Sequence, residues 1–455
     1  MLTRRAIAAA ALTVTFVTAA DLCAQTAPES AAVRRPYRGL FGAPAPSDSP
    51  HSLVLTGSAY GAYDDNVIDA LSARSGNRPW LQESGTYAGA DAGLQYAFAT
   101  EGARTSFGGQ LGGRLSYYHH HDRSDVLPSS NADVTFGFRL TRSLNLQVRE
   151  SVAYSSNYNA SLVPELGEEM GHDIGTAPVS DLDLFGLKTL RTATTVSLAQ
   201  RFGRHTSLTG AYHFRSFELL ESEAPDPMFH EYASHAGSMR FGYNRPVTRN
   251  ASLRLGYGIR VSDRESLTGE PSMMHNIDAG MDYSRALSFS RRTSLSFGTG
   301  SAIAVSERID EGTEGQRTQA RLTGHASLTH EMGRSWTADL TYSRGFRTRD
   351  GFDELYFTDA VSATVGGLVS RRLSFSAATA WADSSLERGG STGQRGISAN
   401  AQGTYALTRY LGLFARYVYY RYRYGSDILL SERFPRQLDR HGVRVGLTTS
   451  VPLIR

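Results

Sequence analysis

The stretch "SLRLGYGIRVS" places Leu253, Leu255, Tyr257, Ile259 and Val261 at alternate positions, with Ser252, Arg254, Gly256, Gly258, Arg260 and Ser262 between them. Side chains of a strand point to opposite faces in turn. Alternation kept over this length dictates a strand with one apolar and one polar face. The texture recurs along the chain. In "DVTFGFRL" Val134, Phe136, Phe138 and Leu140 oppose Asp133, Thr135, Gly137 and Arg139; in "QARLTGHASL" Leu322, Ala326 and Leu328 oppose Arg321, Thr323, His325 and Ser327. In "GISANAQGTYAL" Ile397, Ala399, Ala401 and Tyr405 oppose Ser398, Asn400, Gln402 and Thr404. Such runs exceed the ~5–6 residues usual for a soluble strand and match the ~9–11 residues with which a tilted strand crosses a bilayer.

Between these runs a short phrase returns: "LTRSLNL" at Leu140, "FGRHTSL" at Phe202, "VTRNASL" at Val247, "FSRRTSL" at Phe289, "VSRRLSF" at Val369 and "LTRYLGL" at Leu407. A looser copy is "MGRSWTA" at Met332, and "ATEGARTSF" at Ala99 makes an eighth. Each is short enough to be only a tight turn, and the intervals between them hold two strands and a more polar connection. Short turns at one end and longer loops at the other are the signature of outer-membrane barrels, with the turns periplasmic. The expectation is an all-β, antiparallel, up-and-down transmembrane barrel of about 18 strands, with 16 as the alternative. Expected spans are 52–63, 86–98, 105–118, 132–140, 144–155, 190–202, 206–219, 235–247, 251–263, 276–288, 294–306, 318–330, 335–347, 359–369, 373–384, 397–407, 411–424 and 439–452. Tyr96, Phe98, Phe107, Tyr117, Tyr154, Phe202, Tyr243, Trp336, Tyr342, Trp381, Tyr405 and Tyr419 fall near strand ends, as interfacial girdles require.

Residues 1–24 have the form of a secretory signal: Arg4 and Arg5, the apolar run Ala6–Ala20, and a small-residue cleavage site ending at Ala24. Residues 25–50, rich in Ala, Pro and Ser, read as a flexible periplasmic leader, and 51–455 as the barrel. The one cysteine, Cys23, falls in the signal, which removes disulfides, thiolate metal sites and cysteine nucleophiles from the mature chain. Net charge is +3, with Lys188 the single lysine, so no nucleic-acid footprint is expected.

The segment "GAYDDNV" at Gly61–Val67, the recurring Ser/Thr-Arg turns and the closing "RHGVRVGLTTSVPL" resemble the type 2 β-barrel porin group that often accompanies exopolysaccharide gene clusters. The resemblance covers nearly the whole mature chain through texture and short motifs. It implies a porin-like channel for passive passage of small solutes, with saccharides or exopolysaccharide as the associated chemistry. Arg440, Gly442, Val445 and Leu447 fit the polar-x-Gly-x-x-apolar-x-apolar signal read by the barrel-assembly machinery, although the chain ends on Ile454-Arg455 and not on an aromatic. Outer-membrane lipid and lipopolysaccharide are the expected surroundings.

By alternation the inner wall collects Arg114, Arg139, Arg149, Arg240, Arg254, Arg260, Arg321, Arg416 and Arg444, against Asp91, Asp133, Asp278, Asp282 and Asp339. A mildly basic lumen favours anions, acidic saccharides among them; the other reading is that the arginines pair with the aspartates and stiffen the wall. No cofactor and no metal is expected. The histidines of "YYHHHDR", His119–His121, read as a hydrated loop, and "YDDN" at Tyr63–Asn66 as a turn cap lacking the glycine and ligand alternation of a calcium loop. The longest connection, 156–189, is acidic around "PELGEEMGHD" and "SDLDLF"; folding into the pore and lying outside as a surface loop are equally open. His213, His235 and His325 fall on strands, but there is no "G-x-S-x-G" elbow and no catalytic residue is named. A barrel hydrolase and a surface adhesin or structural barrel without channel activity are the competing classes.

Overall fold

The computed structural model describes residues 51–68, 82–99, 104–120, 123–155, 188–221, 231–248, 251–265, 272–286, 292–310, 313–333, 335–349, 352–386, 392–425 and 436–454. The expected signal, the leader and the acidic stretch 156–187 lie outside the described residues. Eighteen strands form one antiparallel sheet. They are β1 (His51–Ile68), β2 (Gln82–Ala99), β3 (Thr105–His120), β4 (Arg123–Arg139), β5 (Leu144–Ser155), β6 (Lys188–Arg201), β7 (Thr206–Glu221), β8 (Tyr232–Pro246) and β9 (Ala251–Glu265). The second half comprises β10 (Ser272–Ala286), β11 (Thr293–Asp310), β12 (Thr313–Met332), β13 (Trp336–Arg349), β14 (Phe352–Leu368), β15 (Leu373–Leu386), β16 (Thr392–Ala406), β17 (Leu411–Tyr424) and β18 (Gln437–Ile454).

Each strand pairs with its neighbours in sequence, and β1 pairs with β2 on one side and with β18 on the other, from Leu53 to Asp64. Every strand therefore has two partners. That closure follows from solvent: in hydrocarbon each unpaired N–H or C=O costs several kcal/mol, so a sheet with edges is not viable there.

The repeated phrase builds its turn through the Ser or Thr that precedes the arginine. Thr141 Oγ1 accepts from the amides of Ser143 and Leu144 at 3.3 and 3.1 Å. Thr248 Oγ1 accepts from Ala251 N, Ser370 Oγ from Leu373 N and Thr408 Oγ1 from Leu411 N, at 3.0 to 3.1 Å. A hydroxyl oxygen standing in for a backbone acceptor is the chemistry that makes Ser and Thr turn residues. In the looser copy Gly333 takes φ 64°, a conformation that glycine adopts without Cβ strain.

At this turn end the strands finish where the sequence predicts. At the other end they run further. β4 begins at Arg123 and not near 132, β14 at Phe352 and not near 359, and β3 reaches His120. β3 and β4, β11 and β12, and β13 and β14 each end within two residues of one another, so strand occupies most of three connections expected as longer loops. His119 and His120 accordingly hold strand positions at the end of β3 and not in a loop, and His121 lies outside the described residues. Likewise "YDDN" is not a turn cap but the outer part of β1.

The outer face alternates as predicted. Leu94, Leu111, Leu115, Leu255, Leu340, Leu413, Val445 and Leu447 are exposed on it. Tyr212, Tyr257, Tyr342 and Tyr417 each stand seventh in their strands, β7, β9, β13 and β17, and so mark one level. Three of them bond a histidine one strand on: Tyr212 to His235 at 2.7 Å, Tyr257 to His275 at 2.8 Å and Tyr417 to His441 at 2.6 Å. Tyr342 donates to Asp359 at 2.6 Å. Tyrosine with a polar handle is the side chain suited to a boundary between apolar and wet surroundings.

Candidate functional site

On the inner face the side chains nearer the turns are polar and open to solvent: Thr56, Gln95, Gln110, Gln147 and Arg149 are exposed. Several of the expected wall residues meet here. Arg114 Nε donates to Asp91 at 2.6 Å, and Ser58 Oγ adds a bond to Asp91 at 2.8 Å. Arg149 lies 3.7 Å from Asp133. Asp339 accepts from Thr329 Oγ1 at 2.8 Å, and Arg416 Nε donates to Gln402 at 2.7 Å. Arg139 and Arg240 hold inner-face positions opposite Asn145 and Thr209. For Arg254, Arg260, Asp278 and Asp282 only the strand positions are described; β9–β10 pairing sets Arg254 opposite Gly280 and Arg260 opposite Met274. Pairing of wall charges thus holds for Arg114 and Arg149, both half-exposed and therefore worth little as stabilisation.

Arg321 stands apart. Its guanidinium lies 5.5 Å from the Phe357 ring, which Arg344 also covers at 5.2 Å. The last β12–β13 pair is Gly324 with Arg344, so Arg321 belongs to the level where the two strands have separated.

Higher on the inner wall the character changes at the seam where β18, β1 and β2 meet. Tyr60 lies across Gly89 and beside Gly446; a Cβ on either glycine would collide with it. This close approach sets the Tyr60 ring edge-on to Tyr87 and Phe414, at 6.3 Å from each. Arg444 donates to the Tyr87 hydroxyl at 2.8 Å, with its guanidinium 5.3 Å from the Tyr60 ring and 5.8 Å from that of Tyr87. One level up, Arg440 Nε bonds both carboxylate oxygens of Asp64 at 2.8 Å, and both side chains are closed to solvent. Asp65 takes the His441 amide at 2.6 Å. The residues expected to form an assembly signal divide accordingly: Arg440 and Gly442 face inward, while Val445 and Leu447 are exposed outside.

Above this level the inner face is aromatic and buried. Tyr420, Tyr422 and Tyr424 form an edge-to-face ladder at 5.9 and 5.0 Å, and Leu438, Tyr356 and Phe217 are buried on the inner face of their own strands. Alternation in the sequence does not predict this ladder. Its signal is "YVYYRYRY", in which both parities carry tyrosine, so hydropathy alone does not say which row turns inward. An open lumen of this width is water-filled and would wet its wall; here water reaches the wall of the turn half and is excluded from much of the wall above. Of the histidines, His213 meets Thr195 Oγ1 at 3.2 Å, His235 faces outward and His325 is buried on β12, each on a separate strand.

No family model and no curated protein matches the chain. Solved structures that resemble it include OpdQ of Pseudomonas aeruginosa, at 12% identity over 89% of this chain and 98% of that one, with a TM-score of 0.41. OccK2 (OpdF) of the same organism, in complex with glucuronate, has 11% identity over 89% and 98%, TM-score 0.42. The alcaligin outer membrane receptor FauA of Bordetella pertussis has 13% identity over 89% and 76%, TM-score 0.37. At such identities the cargo of those proteins is a property of theirs alone.

Proposed function

We propose that the chain is an outer-membrane channel for passive passage of small solutes with a mild preference for anions. The observation that carries this reading is the closed barrel whose outer face is apolar up to the tyrosine–histidine level while the inner face of β1, β2, β3 and β5 nearer the turns carries exposed Thr56, Gln95, Gln110, Gln147 and Arg149. Only a bilayer around the outside and water inside satisfies both faces. The short turns then lie in the periplasm. Cleavage after Ala24, delivery by the barrel-assembly machinery through the β18 signal, and lipopolysaccharide around the outer rim complete the proposal. Acidic saccharides as cargo rest on the resemblance to the type 2 porins and on wall arginines, since rings of arginine favour anion passage. A hydrolase would need a nucleophile within hydrogen-bond reach of a base; His213 bonds Thr195 on the inner wall, while His235, His275 and His441 bond tyrosines of the outer belt.

The test is single-channel conductance of the mature protein in a planar bilayer, with the reversal potential read across a salt gradient. Stable conductance with a shift toward anions is the expected result. Replacing Arg240, Arg254 and Arg260 together by glutamine should move the reversal potential toward zero selectivity; an unmoved value would reduce the arginines to scaffolding. A folded, inserted and silent protein would remove the channel.

A further inference from the structure

At four turns the same two side chains stand in the same order: Leu140 with Arg142, Phe202 with Arg204, Val369 with Arg371 and Leu407 with Arg409. The apolar member is the first residue past β4, β6, β14 or β16 and keeps the parity of the outer row. Its amide closes the turn, from Phe202 to the Thr206 carbonyl at 3.1 Å, from Val369 to that of Leu373 at 2.8 Å and from Leu407 to that of Leu411 at 3.0 Å. All four are exposed, Phe202 at 64% and Val369 at 58%, and Val247 holds the same place after β8 at 65%. A lone exposed apolar side chain is ordinary, but one at the same place in turn after turn carries the apolar outer row past the ends of the strands.

The arginines two residues on are also exposed, and none of the four forms an ion pair with a described residue. In three of the turns the residue between, Thr141, Ser370 or Thr408, fixes the backbone through its hydroxyl, so the arginines are presented alike. The single acid among the described residues of the turns and their immediate flanks is Glu331. At the far end of the outer face, by contrast, Arg344, Arg395 and Arg421 each lie against an aspartate, at 3.7, 2.8 and 4.0 Å.

Taking the membrane placement proposed above as the premise, we infer that the turn end is a docking surface for anionic phospholipid, each turn setting its apolar residue among the acyl chains and its arginine on a headgroup phosphate. The guanidinium fork takes two phosphate oxygens in parallel bonds, and its long stem lets the charge reach the headgroups while the chain below stays apolar. Basic side chains at an anionic lipid surface are drawn to it one by one. A soluble acidic protein would answer the charge and leave Leu140, Phe202, Val369 and Leu407 in water. A molecule with a phosphate and a hydrocarbon tail answers both. The ring of turns then fixes the depth of the barrel in the leaflet on its own side.

Trp336 is a built-in reporter. It is the first residue of β13, lies over Gly367 and donates its indole N–H to the Leu368 carbonyl at 2.9 Å, beside the turn that carries Arg371. Replacing Trp80 and Trp381 by phenylalanine leaves it the sole tryptophan of the full mature chain. In vesicles of phosphatidylcholine mixed with phosphatidylglycerol, its fluorescence is then quenched by brominated acyl chains carried on one lipid or on the other. Brominated phosphatidylglycerol should quench as though bound about fivefold more tightly, the factor one arginine contributes beside an anionic surface. The preference should fall toward one at 1 M salt, where the Debye length is ~3 Å. It should also vanish when Arg371→Gln and Arg372→Gln are combined in protein shown to be folded by its heat-modifiable gel mobility. A chain keeping only Trp381, the ninth residue of β15, should show no preference that these two changes remove. Equal quenching by the two lipids at Trp336 overturns the inference and leaves the arginines to an acidic protein; a preference that outlasts high salt or the paired glutamines overturns it too. Absence of quenching by either lipid puts the turns outside the bilayer and strikes the membrane placement instead.

Discussion

Along β17, Leu413, Ala415 and Tyr417 face outward and Arg416 faces inward; a few residues further, Arg421 and Arg423 are outside while Tyr420, Tyr422 and Tyr424 are buried inside. The strand is continuous, yet its outer row turns from apolar to charged, while Phe414 and Val418 make part of its lower inner row apolar as well. β18 repeats the change: Val445 and Leu447 are outside in the lower part, whereas Asp439 and His441 are outside and Leu438 inside above. The two regions are a band and a collar, and the inversion falls at the tyrosine–histidine level. What exchanges there is the solvent. Against lipid the outer row must be apolar, because an arginine at the bilayer midplane costs ~2–4 kcal/mol; beyond the headgroups the same row meets water and the apolar side chains turn inward to leave it. Outside the collar the charges are paired with one another, Arg395 with Asp383 at 2.8 Å and Arg421 with Asp439 at 4.0 Å.

The comparison is most strongly tested where the inside of the collar holds charge. Replacing Arg440 alone by Met leaves Asp64 buried without its bidentate partner, and should cost about 3–5 kcal/mol. The change is read as a lowered urea midpoint in detergent. Joining it with Asp64→Leu should recover most of the loss, because a buried pair and a packed apolar pair are often near equal. A single variant with unchanged midpoint would mean that water enters the collar.

Next in size is the band. Leu255→Arg on the outer face of β9 should cost about 2–4 kcal/mol in lipid vesicles. A cost near zero would place that face in water and dissolve the distinction between the two regions. At the turns, Thr408→Ala removes the acceptor for Leu411 N and should cost about 0.5–1.5 kcal/mol, seen as a small drop in the unfolding midpoint with the band untouched. The smallest effect is expected from Arg423→Leu: this exposed collar arginine forms no ion pair with a described residue, and the change should stay within about 0.5 kcal/mol. The same substitution at band level would be favourable, so measuring Arg423→Leu beside Leu255→Arg reads the inversion directly.

Strand number, strand parity and the turn ends were legible because each rests on short-range chemistry. Leu253 and Leu255 sit on the outer face, and Tyr96, Trp336 and Tyr419 lie on the outer side as the girdle reading asks. The collar was less legible. Strand ends such as Arg123 and Phe352 were set too late by alternation, since "RSDVLPSS" and "FDELYFT" carry polar and apolar residues on both rows once lipid no longer sorts them. Arg321 was assigned by parity alone, which does not register that β12 and β13 part above Gly324.

The local rule is written in the order of residues: side chains alternate every two positions and hydroxyls turn the chain at Thr141, Thr248, Ser370 and Thr408, because both are decided within a few residues of backbone. Which charges meet is settled by the assembled ring of strands. Asp64 and Arg440 stand 376 residues apart and become a pair only when β1 closes on β18; Tyr60 finds Gly89 and Gly446 through the same register. Closure is a property of the whole ring, and no stretch short enough to read locally contains it.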